Sequence, residues 1–403
     1  MSILLTTSPS RIRRFSPIVL LTILSACSST PLAPLSPQAP QSAVGTAPPA
    51  APDNAPPSTK VVDLRTLPDL TSIIPQLAEN RVVFVGEAHT EYAHHLNQLA
   101  IIRGVHERHP DMAIGMEYFQ HPFQKDLDAY SAGKLTDTEL LANTQYFKRW
   151  GYDFRLYEPI LKYAKDNRIP LVALNVPSEI VQKVGRSGLS ALTEQERAEI
   201  PQSLDRSSKA YRAFLESVFK DHPHAKDAQF ETFFDVQLLW DEGMADRAAR
   251  YLEDHSSRTL VVLAGSDHVR SGFGIPDRLT RRLPVSRVIV LNGLDDSFEP
   301  DMADVALLAK EEQLPPAGTL GVSLEPGSHG LRIASIARDS ASQAAGLAQG
   351  DQIVSLNGTR VRELADARLV LWDKQPGTRI TVEVRRRTWF LAVKTLPFEV
   401  TLR

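Results

Sequence analysis

The sequence predicts an α/β domain built on a mainly parallel sheet, flanked by helices and carrying a helical insertion, followed by a small, mostly-β domain. Two observations carry this prediction. Five short apolar runs, "RVVFVG", "MAIGME", "PLVALNV", "TLVVLAG" and "RVIVLNG", are separated by helical patterns long enough for crossovers. Near-continuous apolar strands joined in this way argue for a sheet covered on both faces. After "AKEEQLPPAG" the character changes to alternating residues and glycine turns, which argues for a second module.

Length and composition set the frame. A chain of 403 residues exceeds what one hydrophobic core usually organises. Apolar residues make up 42% and charged residues 23%, and the formal net charge of -3 gives no general electrostatic reason to expect a nucleic acid as partner. A small ligand or a protein is the expected partner.

The first element is a targeting signal. Arg11, Arg13 and Arg14 precede the apolar run "FSPIVLLTIL", which meets "SAC", the order of a secretory signal peptide. The run is too short for a helix across a bilayer core about 30 Å thick. The only cysteine, Cys27, stands at the cleavage position, so the mature protein has no disulfide to form. Residues 28–60 are rich in Pro, Ala and Ser and read as an extended tether.

The α/β domain is expected over residues 61–304. In such sheets binding chemistry lies outside the carboxyl ends of the strands. Reading those ends gives Gly86, Glu87 and His89, then Glu117 and Tyr118, then Asn175, then residues 265–268, then Asn292. The spacing Gly86-x-x-His89 recurs as Gly265-x-x-His268. A glycine there is expected to let the chain turn sharply out of its strand, with the histidine over the sheet's edge. Glu87, His89, Glu117 and His268 could ligate a divalent transition metal, or act as general acid and base.

Other histidines read as surface, capping or loop residues: His94, His95, His106, His109, His222 and His224. Tyr92, Tyr118, Tyr146, Tyr152 and Tyr157 are mostly expected to pack, with Tyr118, beside Glu117, the best placed as a ligand for ferric haem. No dinucleotide fingerprint, P-loop or nucleophile elbow occurs. The interval from about Ser178 to His255 is longer than one crossover needs and reads as an insertion or lid.

At "VGEAHTEYAHH", "GMEYFQ", "LNVP" and "LAGSDHVRSGFGIPDRL" the chain resembles the ChaN-type haem-binding lipoproteins. Their superfamily also holds the Tiki metalloproteases and the erythromycin esterases. The resemblance implies haem bound by tyrosine with histidine assistance and iron acquisition at the outer membrane; whether the α/β domain forms a homodimer around its ligand is left open by the sequence. On this chain it carries over to His89, Glu117, Tyr118 and His268. As an alternative it implies a metal-dependent or histidine-based hydrolase using Glu87, His89, Glu117 and His268. "LSAC" resembles the bacterial lipoprotein box, which implies lipidation of Cys27, and Ser28 after it implies a periplasm-facing place at the outer membrane.

Residues 316–403, with "GTLGVSLEP", "ASIARDSASQAAGLAQGDQIVSLNGTRV" and "PGTRITVEVRR", resemble a bacterial PDZ domain. Such domains add a peptide as a strand to a sheet edge and hold its terminal carboxylate. The resemblance assigns the carboxylate loop to "GTLGV", with Gly318, Leu320, Gly321 and Val322 binding the peptide. Gly346 and Gly350 shape turns.

Overall fold

In the computed structural model the described residues are 62–220, 230–293, 299–387 and 392–403. The signal peptide, Cys27, the 28–60 tether, His222 and His224 lie outside them. Each of the five apolar runs is a strand: β1 (Val82–Glu87), β2 (Met112–Gln120), β3 (Leu171–Asn175), β4 (Thr259–Gly265) and β5 (Arg287–Asn292). A sixth, β6 (Val305–Leu307), pairs with β5 and extends the α/β domain past the expected boundary at 304. All pairings in this sheet are parallel, in the order β3-β2-β4-β1-β5-β6.

Both faces of the sheet are covered, which is why the strands read as continuous apolar runs. Val83, Val85, Ile114, Met116, Val261 and Leu263 face a core shared with the helices Tyr92–Arg108 and Glu158–Asp166. Val82, Phe84, Val172, Leu260, Val262 and Leu291 face the other core, closed by Met244, Ala245, Ala248 and Leu252 of the helix Phe230–Asp254 and by the helix Ile275–Arg282. Strand β1 lies between β4 and β5, with Glu87 opposite Gly265. The crossover after β1 runs to one side and that after β4 to the other, so the crevice opens at this switch point.

The insertion resolves into the helices Ser178–Ser187, Glu194–Ala198 and Lys209–Lys220 and the long helix Phe230–Asp254. The last is more than a lid, because its Met244, Ala245, Ala248 and Leu252 are buried in one of the two cores of the sheet. Among the described residues no helix is long and apolar enough to cross a membrane.

The C-terminal domain is an antiparallel sheet of β7 (Val322–Gly327), β8 (Gly330–Ile336), β9 (Gln352–Leu356), β10 (Thr359–Arg360), β11 (Arg379–Arg387) and β12 (Val393–Thr401). Its order is β12-β11-β9-β8-β7, with β10 on β9, so β7 is an edge. The helix Leu364–Leu371 packs over it, and Leu320, Val322, Ile333, Ile353, Val382 and Val400 form the core.

Candidate functional site

A cavity of ≈ 550 Å³ opens at the carboxyl ends of β1, β4 and β5. Its polar wall includes Glu87, His89, Asp241, His268 and Asn292, and its apolar wall Leu215, Val218, Phe233 and Leu291. Leu215 and Val218 come from the helix Lys209–Lys220, so the insertion supplies one side of the cavity.

Two histidine–carboxylate pairs stand here. His89 Nδ1 lies 2.6 Å from Glu87 Oε1. A carboxylate can only accept, so Nδ1 donates and the lone pair of the neutral ring is on Nε2. The Cε1–Nε2 edge of His89 lies against Gly265, where an added Cβ would stand 3.0 Å from Cε1. Trp150 and Tyr152 pack on the ring, both at 4.8 Å between centroids. Burial pulls the His89 pKa down, but the Glu87 hydrogen bond and charge lift it above the ordinary value. Glu87 is 2% exposed, and its Oε2 is buried with no hydrogen-bond partner. A buried carboxylate oxygen in that state is an acceptor for a donor or cation entering the cavity.

The second pair is larger. His268 Nδ1 lies 2.6 Å from Asp241 Oδ1, and its Nε2 lies 3.4 Å from Glu117 Oε1. Glu117 Oε2 accepts the Gly265 N–H at 2.7 Å, which ties the end of β2 to that of β4. Burial opposes charge on His268, but Glu117 and Asp241 hold its pKa well above the ordinary histidine value. Burial raises and His268 lowers the Glu117 pKa, and the balance falls below the ordinary carboxylate value. The imidazolium therefore sits between two carboxylates.

This arrangement departs from the metal-ligand expectation for Glu87, His89, Glu117 and His268. Among the described residues no group of three or more His, Cys, Asp or Glu side chains is disposed to hold a metal ion. The reason is local: Asp241 takes His268 Nδ1, and Glu117 is engaged by the Gly265 N–H and by His268.

Tyr118 departs further. It is 3% exposed, its hydroxyl donates to Gln98 Oε1 at 3.3 Å, and its ring packs on Tyr157 and Trp150. Burial and the charge of Glu87 hold its phenol well above pH 10, so it is a core tyrosine rather than a phenolate facing the cavity. Tyr152, half-buried beside His89, is the tyrosine next to the candidate ligand.

Neither motif glycine has a positive φ, which corrects the expected sharp turn. They are required by space. A Cβ on Gly86 would stand 2.7 Å from Leu291 and 2.8 Å from Val269, and one on Gly265 would meet the His89 ring. His94 also lines the cavity, but its Nδ1 accepts the Ala88 N–H at 3.1 Å, and burial lowers its pKa. The neutral ring thus carries its proton on Nε2 and presents a donor. His95 is buried between Gln98 and the His89 carbonyl oxygen. Asn175 and Asn292 donate to the backbone oxygens of Glu117 and Gly86, pinning strand ends.

Sequence reasoning missed Asp241. It lies in the middle of the long helix, and Tyr211 donates to its Oδ2 at 2.6 Å while Arg278 stacks on the Tyr211 ring at 4.0 Å. The available signal was two adjacent acids inside the apolar stretch "LLWDEGMA".

In the C-terminal domain Leu320 and Val322 line a cavity of ≈ 160 Å³. Gly321 has φ +69 and leaves no room for a Cβ beside Ser340. The Gly318 and Thr319 N–H groups donate to Lys374 and Arg403, so Gly318 anchors the loop rather than offering its N–H to a ligand. Gly346 and Gly350 have φ +83 and +91, as turn residues.

These features define an α/β domain with a histidine–carboxylate cavity at its strand ends, joined to a small antiparallel β domain with an edge strand beside an apolar cavity. The chain belongs to the ChaN family of haem-binding uptake proteins in the Tiki superfamily, whose model matches residues 73–279, and a PDZ domain model matches residues 318–401. Among curated proteins it is 25% identical to Protein RETICULATA-RELATED 5, chloroplastic, of Arabidopsis thaliana over 248 residues, 55% of this chain and 32% of that one. It is 26% identical to the probable periplasmic serine endoprotease DegP-like of Chlamydia muridarum over 140 residues, 34% of this chain and 25% of that one. The chain thus spans a third or less of these relatives.

Solved structures similar to it include ChaN of Campylobacter jejuni with cofacial haem, at 17% identity and TM-score 0.49, covering 59% of this chain and 91% of that one. An erythromycin esterase mutant in its open conformation has 17% identity and TM-score 0.36, covering 55% and 72%. The HtrA3 PDZ domain bound to a phage-derived ligand has 21% identity and TM-score 0.19, covering 21% and 85%.

Proposed function

We propose that this protein is an outer-membrane lipoprotein, anchored through Cys27 and facing the periplasm, that binds haem in its α/β domain for iron acquisition and holds the C-terminal peptide of a partner in its PDZ domain. Membership of the haem-binding family supports the haem reading. The observation that carries it is His89, whose Nδ1 is fixed by Glu87 and whose ring lines a cavity with one apolar wall. A histidine whose other ring nitrogen is fixed by a carboxylate has the form of a metal-ligating imidazole, and ≈ 550 Å³ lies within the usual range for cofactor sites. The donor set therefore fits a haem whose iron would accept one imidazole, with His89 as ligand.

The test is an absorbance titration of residues 28–403, with Cys27 removed, using haemin. Saturable binding with a defined Soret band is expected, with loss of at least about tenfold in affinity in His89→Ala and no change in Tyr118→Phe. A flat titration of the folded protein would overturn the reading. Lipidation is tested by mass spectrometry of the mature N-terminus, where an unmodified Cys27 would remove the anchor.

The hydrogen-bonded Asp241–His268 pair favours a second reading, a histidine-based hydrolase in which protonated His268 is a general acid. Hydrolysis of model esters or peptides that is lost in His268→Gln would support it. Absence of turnover across both panels removes it.

A further inference from the structure

We propose that the peptide groove of the PDZ domain is composite: residues 147–155 of the α/β domain form one of its walls and read the partner peptide upstream of its last residue. The proposal rests on the PDZ peptide-binding reading and adds a second domain to the site. The groove runs between β7, the sheet edge, and the helix Leu364–Leu371, with Leu320, Val322 and Leu324 on one side and Leu364, Ala367 and Leu371 on the other. The same cavity is lined by Phe147, Tyr152, Asp153 and Arg155.

That wall is fastened in place. Arg368 Nη1 donates to the Gly151 carbonyl oxygen at 2.7 Å, and Arg155 Nη1 donates to that of Pro315 at 2.7 Å. Trp372, directly after the groove helix, meets the edge of Phe154 at 5.2 Å and donates to Thr138 Oγ1 at 3.3 Å. Asp153 is neutralised by its ion pair with Arg155, so the wall presents an aromatic ring and a paired charge rather than a net charge.

The volume specifies the occupant. A cavity of ≈ 160 Å³ is well below the roughly 300 Å³ at which pockets begin to enclose drug-sized ligands. It takes one apolar side chain, the last of a C-terminal peptide. With Gly318 and Thr319 taken up by Lys374 and Arg403, the carboxylate falls to the N–H groups of Leu320 and Gly321. The peptide backbone extends β7, and its preceding residues leave the groove past Tyr152. The partner is therefore a protein ending in an apolar residue, with an aromatic or apolar residue upstream to pack on that ring.

The experiment uses residues 28–403 with Cys27 removed. A displayed library of heptapeptides with free C-termini is selected against it, and the best peptide, fluorescein-labelled, is titrated by anisotropy against wild type, Phe147→Ala, Tyr152→Ala and Leu320→Glu, and in its C-terminally amidated form. Circular dichroism checks that each variant is folded. A loss of about tenfold in both wall variants, with the upstream preference lost when selection is repeated on Tyr152→Ala, supports the composite groove. Unchanged affinity in both wall variants, while amidation and Leu320→Glu abolish binding, overturns it and leaves the PDZ reading intact. Binding gained only in Tyr152→Ala makes the wall a plug and also overturns it. No peptide bound by any folded form removes both readings.

Discussion

His89 and His268 occupy equivalent places in the two Gly-x-x-His motifs, yet their partners give them different chemistry. His89 has one carboxylate at Nδ1, whereas His268 lies between Asp241 and Glu117. Glu87→Gln should retain the shape of the first pair and an acceptor oxygen but remove the negative charge that fixes the His89 ring, and haemin affinity should fall about 10- to 100-fold; an unchanged titration would show that His89 needs no orienting carboxylate. For His268 the sign follows from linkage. Its pKa is raised in the folded state above about 6.5, so its stabilising contribution is full below that pH and is lost as pH rises through the folded value. Glu117, held low by His268, loses its contribution as pH falls below about 4.5. Denaturant midpoints of wild type and His268→Gln should therefore converge above neutral pH, and a constant gap from pH 6 to 10 would refute the buried imidazolium. The recurring motif was legible because its residues are local in sequence. Asp241 was not, because only folding brings the long helix to His268, and Tyr118 was misread because a strand end can be polar and still covered by aromatic rings.

At the scale of elements, spacing between backbones decides what the motif can hold. Gly86 lies within β1 against Leu291 and Val269, and Gly265 closes β4 against the His89 ring. Gly86→Ala should therefore destabilise by about 1 to 3 kcal/mol through overpacking. Gly265→Ala should cost less in stability, since a side chain can shift, but should displace His89 and weaken haemin binding. Thermal melts and haemin titrations of the two variants separate these effects; equal loss of binding in both, with equal melting temperatures, would contradict the division. The five long strands were legible from apolar runs that both faces of the sheet demand. Strand β6 escaped because Val305–Leu307 is too short for a pattern. The insertion was legible as helix but not as cavity wall, because amphipathicity shows that a face is buried and not what lies against it.

Over the whole molecule, the two domains share a packed boundary rather than only a linker. Leu369 and Trp372 of the C-terminal domain pack against the α/β core that holds Tyr146, Phe154 and Tyr157. Lys148 and Glu363 add an exposed pair at 3.3 Å, which contributes little by itself. The PDZ-type domain was legible from its turns and alternating strands, whereas its contact with the first domain was not, since a half-buried tryptophan after a helix has no sequence signature of its partner. Interfaces within a chain default to relative motion unless they are substantial and apolar, so Trp372 decides the regime. Trp372→Ala removes the ring packed on Phe154 and the hydrogen bond to Thr138. Full burial of a tryptophan is worth about 3 to 5 kcal/mol on truncation, so about 2 kcal/mol is expected for this half-buried one. Calorimetry should show one cooperative transition for wild type and two for Trp372→Ala, with the β-rich domain and the α/β domain melting separately. Two transitions in the wild type would mean that the domains are energetically independent, and a single one in the variant would place the coupling in Arg368 and Arg155 instead.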